Sequence, residues 1–176
     1  RRPSCSVGAC SGVEGTAAEE QALTGTLTGL KNRRGLDHVL ERLIGAGQEF
    51  ALMHLDLDFF KQVNDTLGHA AGDHVLEQVA RIMVGITRDE DIIARVGGDE
   101  FVMVFQGLCD HRRIEDLAQR LISQLELPMR WQGQECRISA SAGTTMSTDY
   151  NHPDPARMLA DADHALYAAK NAGRSR

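Results

Sequence analysis

Two acidic clusters in the chain carry the residue types needed to hold a hard metal ion. The first is His54-Leu55-Asp56-Leu57-Asp58, which closes an apolar run containing Phe50, Leu52, Met53 and Leu55. The length of that run suits a strand buried on both faces. Alternation at period two then puts Asp56 and Asp58 on one face. The second is Gly97-Gly98-Asp99-Glu100-Phe101, with Asp99 in or just after a hairpin turn. Two carboxylates brought together from adjacent strands make an all-oxygen site, which suits Mg²⁺ or Mn²⁺ with substrate phosphates as further ligands. A single Asp beside a turn is ordinarily a solvated turn residue. The buried strand before Asp56 and the glycine pair before Asp99 favour the ligand reading, because glycine lets a phosphate approach the main chain closely.

The elements that must position these acids read as a mixed α/β domain. Helices are expected over Arg33–Ile44, closed by Gly45 and Gly47, and over Phe59–Leu67. Another follows Asp73, which can cap it, with Val75, Leu76, Val79, Ile82, Met83 and Ile86 on one face. Further helices are expected through Ile114–Leu125 and Met158–Ala169, the last ended by Gly173. Strands are expected at Glu49–Asp56, Ile92–Val96, Phe101–Phe105 and Cys136–Met146, the middle two forming a hairpin around Gly97-Gly98. Mixing βα units with an antiparallel hairpin predicts a sheet with helices on both faces. Residues 1–22 are rich in Gly, Ser and Ala and read as a linker or arm, with a short helix near Ala17–Leu23; the domain is expected over 23–176.

The chain has 176 residues, enough for one domain with a full core, and a net charge of -6. That charge argues against a sequence-independent grip on nucleic acid, though a local cluster of cations suffices for one nucleotide. No run approaches the length of a membrane span and no secretory signal is visible. The start at Arg1-Arg2-Pro3, without Met, reads as a piece of something longer. Cys5, Cys10, Cys109 and Cys136 match no zinc or redox spacing, and Cys109 and Cys136 read as apolar side chains in a reducing, cytoplasmic compartment.

The segment Arg95-Val96-Gly97-Gly98-Asp99-Glu100-Phe101 resembles the signature of the GGDEF family of diguanylate cyclases. It is accompanied, in the family's order, by Leu27-Thr28-Gly29-Leu30 with Asn32-Arg33, by Asp56-Leu57-Asp58-Phe59-Phe60-Lys61 with Asn64-Asp65, by Gly68-His69 with Gly72-Asp73, and by Ala165-Leu166-Tyr167 with Ala169-Lys170 and Gly173-Arg174. The resemblance covers roughly residues 27 to 176. It implies a palm-like nucleotide cyclase fold, with a central, mostly antiparallel sheet of about five strands flanked by helices. It also implies a reaction in which the 3′-hydroxyl of each of two GTP molecules attacks the α-phosphate of the other, giving cyclic di-GMP and two pyrophosphates. Each domain would bind one GTP, so catalysis would need a homodimer.

Roles follow residue by residue from the same resemblance. Asp56 and Asp99 would be metal ligands, with the Leu57 carbonyl as a third, and Asp99 would take the proton of the attacking hydroxyl. Asn64 and Asp73 would read guanine. A buried carboxylate accepts from the guanine N1–H and amine, a pair that adenine lacks, and such sites discriminate by roughly 10⁴. Lys61 would stabilise the transition state at the phosphates. Lys170 and Arg174, four apart on the last helix, would clamp the triphosphate. Phe59 and Phe60 would pack against the core, with backbone amides near phosphate.

Arg88 and Asp91 fit the family's RxxD inhibitory motif, which binds the product cyclic di-GMP; an arginine suits a guanine edge or a phosphate. Lys31, Gly25 and Thr26 depart from the family pattern, and they lie in the entry segment rather than among the site residues. An upstream sensory domain and a downstream EAL phosphodiesterase domain are possible neighbours in a longer chain. Two other functions compete with the cyclase: a silent GTP-binding domain that regulates an attached EAL module, and a cyclic di-GMP receptor.

Overall fold

The computed structural model describes residues 23–173. The expected arm, its short helix apart from Leu23, and Arg174 fall outside them. The elements run α1 (Arg33–Gly45), β1 (Phe50–Asp58), α2 (Phe60–Leu67), α3 (His69–Ile86), β2 (Ile92–Arg95) and β3 (Glu100–Gln106). They continue with α4 (His111–Leu125), β4 (Met129–Trp131), β5 (Gln134–Cys136), β6 (Ser139–Met146), a 3₁₀ turn (Ser147–Asp149) and α5 (Pro155–Asn171).

The central sheet has four strands in the order β2-β3-β1-β6, every pair antiparallel. β1 therefore lies inside, flanked by the signature strand β3 and by β6. Its residues divide by parity. Ala51, Met53, Leu55 and Leu57 enter a core with α2, α3 and α4, while Phe50 and Leu52 enter a second core with α1 and α5. A near-continuous apolar run is the expected pattern for a strand covered on both sides. Asp56 and Asp58 share the parity of Leu52 and so lie on the α5 side.

Three expectations need correction. Among the described residues the sheet has four strands against the about five expected, and a separate two-stranded ribbon, β4-β5, is set off from it. The ribbon turns at Gln132-Gly133, where φ is 47° and 79°; two consecutive positive values are what a tight hairpin turn demands. The strand expected over Cys136–Met146 is accordingly split between β5 and β6. Asp73 does not cap a helix. α3 begins four residues earlier at His69, after Gly68, whose φ of 91° turns the corner between α2 and α3. Phe60 is buried as expected, but Phe59 is 45% exposed. The passage from β1 to α2 is a single residue, and Phe59 makes it in the left-handed region at φ 68°. For a side chain with a Cβ this costs about 1–2 kcal/mol.

The helices next to the sheet are well anchored. The Asn32 side chain accepts from Gly35 N at the start of α1, Asp110 from Arg112 N at the start of α4, and Asp154 from Arg157 N at the start of α5. α5 lies almost backbone to backbone on β6. A Cβ added at Gly143 would fall 2.1 Å from the Ala162 oxygen and 2.4 Å from the Leu166 nitrogen.

Candidate active site

The two acidic clusters meet where the end of β1 adjoins the start of β3. Asp56 in β1 stands opposite Glu100 in β3 and opposite Ser141 in β6. Leu57 N donates to the Asp99 carbonyl at 3.0 Å, so the hairpin tip lies beside the end of β1. The tip is pinned by Arg95, which donates to the Gly97 carbonyl at 3.2 Å and to the Gly98 carbonyl at 2.8 Å. Gly97 is packed against Glu100, since an added Cβ would fall 2.6 Å from its Oε2.

Lys170 reaches this point from α5. Its Nζ stands 3.2 Å from Asp56 Oδ2 and 3.5 Å from Asp58 Oδ1. Burial, then the neighbouring Asp99 charge, raise the Asp56 carboxyl above its ordinary pKa, against the opposing pull of Lys170. Anionic groups held together in this way favour a bound cation. Among the described residues no group of three or more His, Cys, Asp or Glu side chains has metal-holding geometry. A donor set of two carboxylates and the Leu57 carbonyl fits Mg²⁺, which is usually bound by one or two carboxylates with water and substrate phosphate completing its shell.

The structure also brings Asn64 and Asp73 near each other. A Cβ on Gly72 would lie 1.8 Å from Asn64 Oδ1, so the Asn64 amide sits directly over the backbone preceding Asp73. Asp73 is exposed in the second turn of α3, rather than buried as the guanine reading assumed. Lys61 is exposed in the first turn of α2, the helix that begins where β1 ends.

Arg88 and Asp91 form a knot of their own. Asp91 Oδ2 accepts from Arg88 N at 2.9 Å and lies 3.7 Å from Arg88 Nε, while Arg88 Nη2 donates to the Gln106 carbonyl at 3.1 Å. The Asp91 side chain is 3% exposed, and its Oδ1 is buried without a hydrogen-bond partner. The pair borders a cavity of ≈ 420 Å³ that is also lined by Arg113, Asp116, Leu117 and Arg120 of α4.

Sequence reasoning missed several of these residues. Arg113 and Arg120 are seven apart, so they share a helix face, and that spacing was the available signal. Asp58 is fully buried and accepts a hydrogen bond from Ser141 Oγ at 2.7 Å. No local pattern marks Ser141. His54 is buried with neither ring nitrogen hydrogen-bonded, its Nδ1 3.6 Å from Asp163 Oδ1, and burial lowers its pKa. Cys136 is buried and Cys109 partly so, both as free thiols.

Comparison with known proteins identifies the family. The family model described as diguanylate cyclase, GGDEF domain, matches residues 22–176. The chain is 41% identical over 155 residues to the probable diguanylate cyclase DgcE of Escherichia coli, covering 85% of the chain and 14% of DgcE. It is 33% identical over 174 residues to the cyclic di-GMP phosphodiesterase PdeR of Escherichia coli, covering 94% of the chain and 26% of PdeR. The coiled coil and GGDEF domain of DgcB from Caulobacter crescentus, solved with c-di-GMP, superposes with a TM-score of 0.83 at 28% identity, covering 90% of this chain and 86% of that one. The chain thus spans a small part of the curated relatives it matches. Among its described residues no helix is long and apolar enough to cross a membrane. Fold, signature hairpin and matched residues together show that the chain belongs to the GGDEF diguanylate cyclase family.

Proposed function

We propose that this domain condenses two GTP molecules into cyclic di-GMP and two pyrophosphates, as one half of a homodimer. The observation that carries the reading is the meeting of Asp56 with the Asp99 hairpin where β1 adjoins β3, with Lys170 across from them. Asp56, Asp99 and the Leu57 carbonyl would hold Mg²⁺ or Mn²⁺. Such an ion, when bound, supplies positive charge for the triphosphate and acidifies the attacking hydroxyl. Asp99 takes the proton of the 3′-hydroxyl. Lys170 and Lys61 hold the phosphates, joined by Arg174, and each neutralises charge that builds up on the oxygens as the α-phosphate is attacked. Asn64 and Asp73 orient guanine. Each domain contributes one nucleotide, and the attacking hydroxyl of one meets the α-phosphate of the other across the dimer.

The Arg88–Asp91 knot would bind the product. A guanine edge or a phosphate can exchange with the Arg88 contacts to Gln106, and the cavity beside it adds Arg113 and Arg120. A ligand there can join two domains away from the GTP site and hold them apart from the productive pose. The family includes proteins such as PdeR, a phosphodiesterase by name, which supports a second reading: a GTP-binding regulator without turnover. Incubation of concentrated protein with GTP and Mg²⁺, followed by product analysis, separates the two. The cyclase yields one cyclic di-GMP per two pyrophosphates. Binding of GTP without products establishes the regulator instead. Calorimetry of cyclic di-GMP without GTP tests the feedback site, where Arg88→Ala should abolish binding and leave the initial rate unchanged. Tight binding by that variant would remove the site from Arg88.

A further inference from the structure

We propose that Asp58, held by Ser141, is a positioning residue that keeps the Lys170 ammonium aimed at the nucleotide phosphates; the inference rests on reading Lys170 as a phosphate ligand. Asp58 ends β1 and is 1% exposed. A carboxylate buried that deeply needs hydrogen-bond or ionic partners inside the fold. Ser141 Oγ donates to its Oδ2 at 2.7 Å from β6, and Lys170 Nζ lies 3.5 Å from its Oδ1 on α5. Asp58 therefore ties three elements together at the point where the lysine enters the site.

The two carboxylates that flank Lys170 differ in what they are free to do. Asp56 is partly exposed and lies beside Asp99, so it is the carboxylate that a metal ion would claim. Once its charge is shared with a metal, its pull on the lysine weakens. Asp58 lies deeper: its side chain is 0% exposed and one of its oxygens accepts from the serine. It is the partner that remains for Lys170 in the loaded site, and it leaves the other ammonium hydrogens for phosphate. The close seat of α5 on Gly143 supports the same arrangement, because it brings the helix that bears Lys170 against β6, the strand that bears Ser141.

By charge alone, Asp58→Asn removes a negative group near a triphosphate and should tighten nucleotide binding. If Asp58 acts through Lys170, the same change should instead weaken binding. Calorimetry with a non-hydrolysable GTP analogue and Mg²⁺ should show about a tenfold loss for Lys170→Met, the scale of one charge-assisted hydrogen bond. Asp58→Asn should lose a few-fold, and Ser141→Ala, which alters no charge, should move in the same direction. In the Lys170→Met background, Asp58→Asn should cause no further loss. Mn²⁺ affinity without nucleotide should be unchanged in Asp58→Asn. Tighter nucleotide binding by Asp58→Asn, or an undiminished further loss in the double variant, overturns the positioning role. So does a large fall in Mn²⁺ affinity, which would make Asp58 a metal ligand. If Asp58→Asn does not fold, Ser141→Ala alone and combined with Lys170→Met carries the same comparison. Unchanged nucleotide affinity in Lys170→Met refutes the underlying phosphate reading, and the proposal with it.

Discussion

Gly72→Ala should separate nucleotide recognition from stability. The added Cβ would fall 1.8 Å from Asn64 Oδ1 and 2.8 Å from its Cγ. An ordinary contact is about 3.5 Å, so the amide must withdraw by roughly 1.7 Å. The obstacle is the end of a flexible side chain, not backbone, so α2 and α3 need not move. An amide displaced that far no longer holds a hydrogen bond to a base placed for the original geometry. Losing one such bond costs about 0.5–1.5 kcal/mol, or roughly two- to thirteenfold in affinity for a GTP analogue. The fold feels two opposed effects. Alanine within a helix is about 0.8–1 kcal/mol better than glycine, and pushing Asn64 off its rotamer costs about 0.5–1.5 kcal/mol. The difference is near zero, so Tm should stay within about 4 °C. Calorimetry with GTP and ATP analogues beside thermal melting reads both quantities. Asn64→Ala should weaken binding comparably, and the double variant should be no worse than either single one. Wild-type affinity in Gly72→Ala would refute the assignment of Asn64 as a base reader. A double variant whose losses multiply would show that Gly72 acts by another route.

Asp56→Asn should abolish cyclic di-GMP synthesis while raising Tm at neutral pH in metal-free buffer. The Asp56 carboxyl has a folded pKa above its ordinary 3.8, so its favourable contribution is full below the unfolded pKa and disappears as pH rises through the folded one. The gain in Tm should therefore shrink in acid, and a variant that synthesises product normally would sink the metal assignment. Gly143→Ala meets two backbone atoms of α5, at 2.1 and 2.4 Å, that cannot turn aside. Overpacking of this kind costs about 1–3 kcal/mol, so Tm should fall by several degrees and turnover by more, since Lys170 is carried on that helix. An unchanged melting curve would mean that α5 is not seated on β6 as described.

The legible part of this molecule is the part written in local pattern. The buried strand before Asp56, the glycine turn before Asp99 and the helical stripes of α3 and α4 all follow from periodicity and turn chemistry. So does the parity that puts Asp56 and Asp58 on one face. The ribbon β4-β5 escaped because its turn is Gln132-Gly133: glycine signals a turn, but glutamine at positive φ is not expected there, and the flanking strands have three residues each. The start of α3 escaped because Gly68 both ends one helix and begins the next, which left Asp73 looking like a cap when it stands exposed in the second turn.

The site itself divides along the same line. Each acid could be located in the sequence because a strand end or a turn announces it. What surrounds the acids could not, because those neighbours come from distant stretches with no pattern of their own. Ser141 is one small residue in Ser139-Ala140-Ser141-Ala142-Gly143, and only the antiparallel pairing of β6 with β1 brings it to Asp58. Gly143 looks like a flexible link until α5 is seen resting on it. Small residues in that strand let a helix approach the sheet closely enough for a lysine near the helix end to reach two carboxylates in β1. The chemistry is therefore carried by acids and a lysine that the sequence displays, while their geometry depends on serine and glycine residues whose importance appears only once the chain has folded.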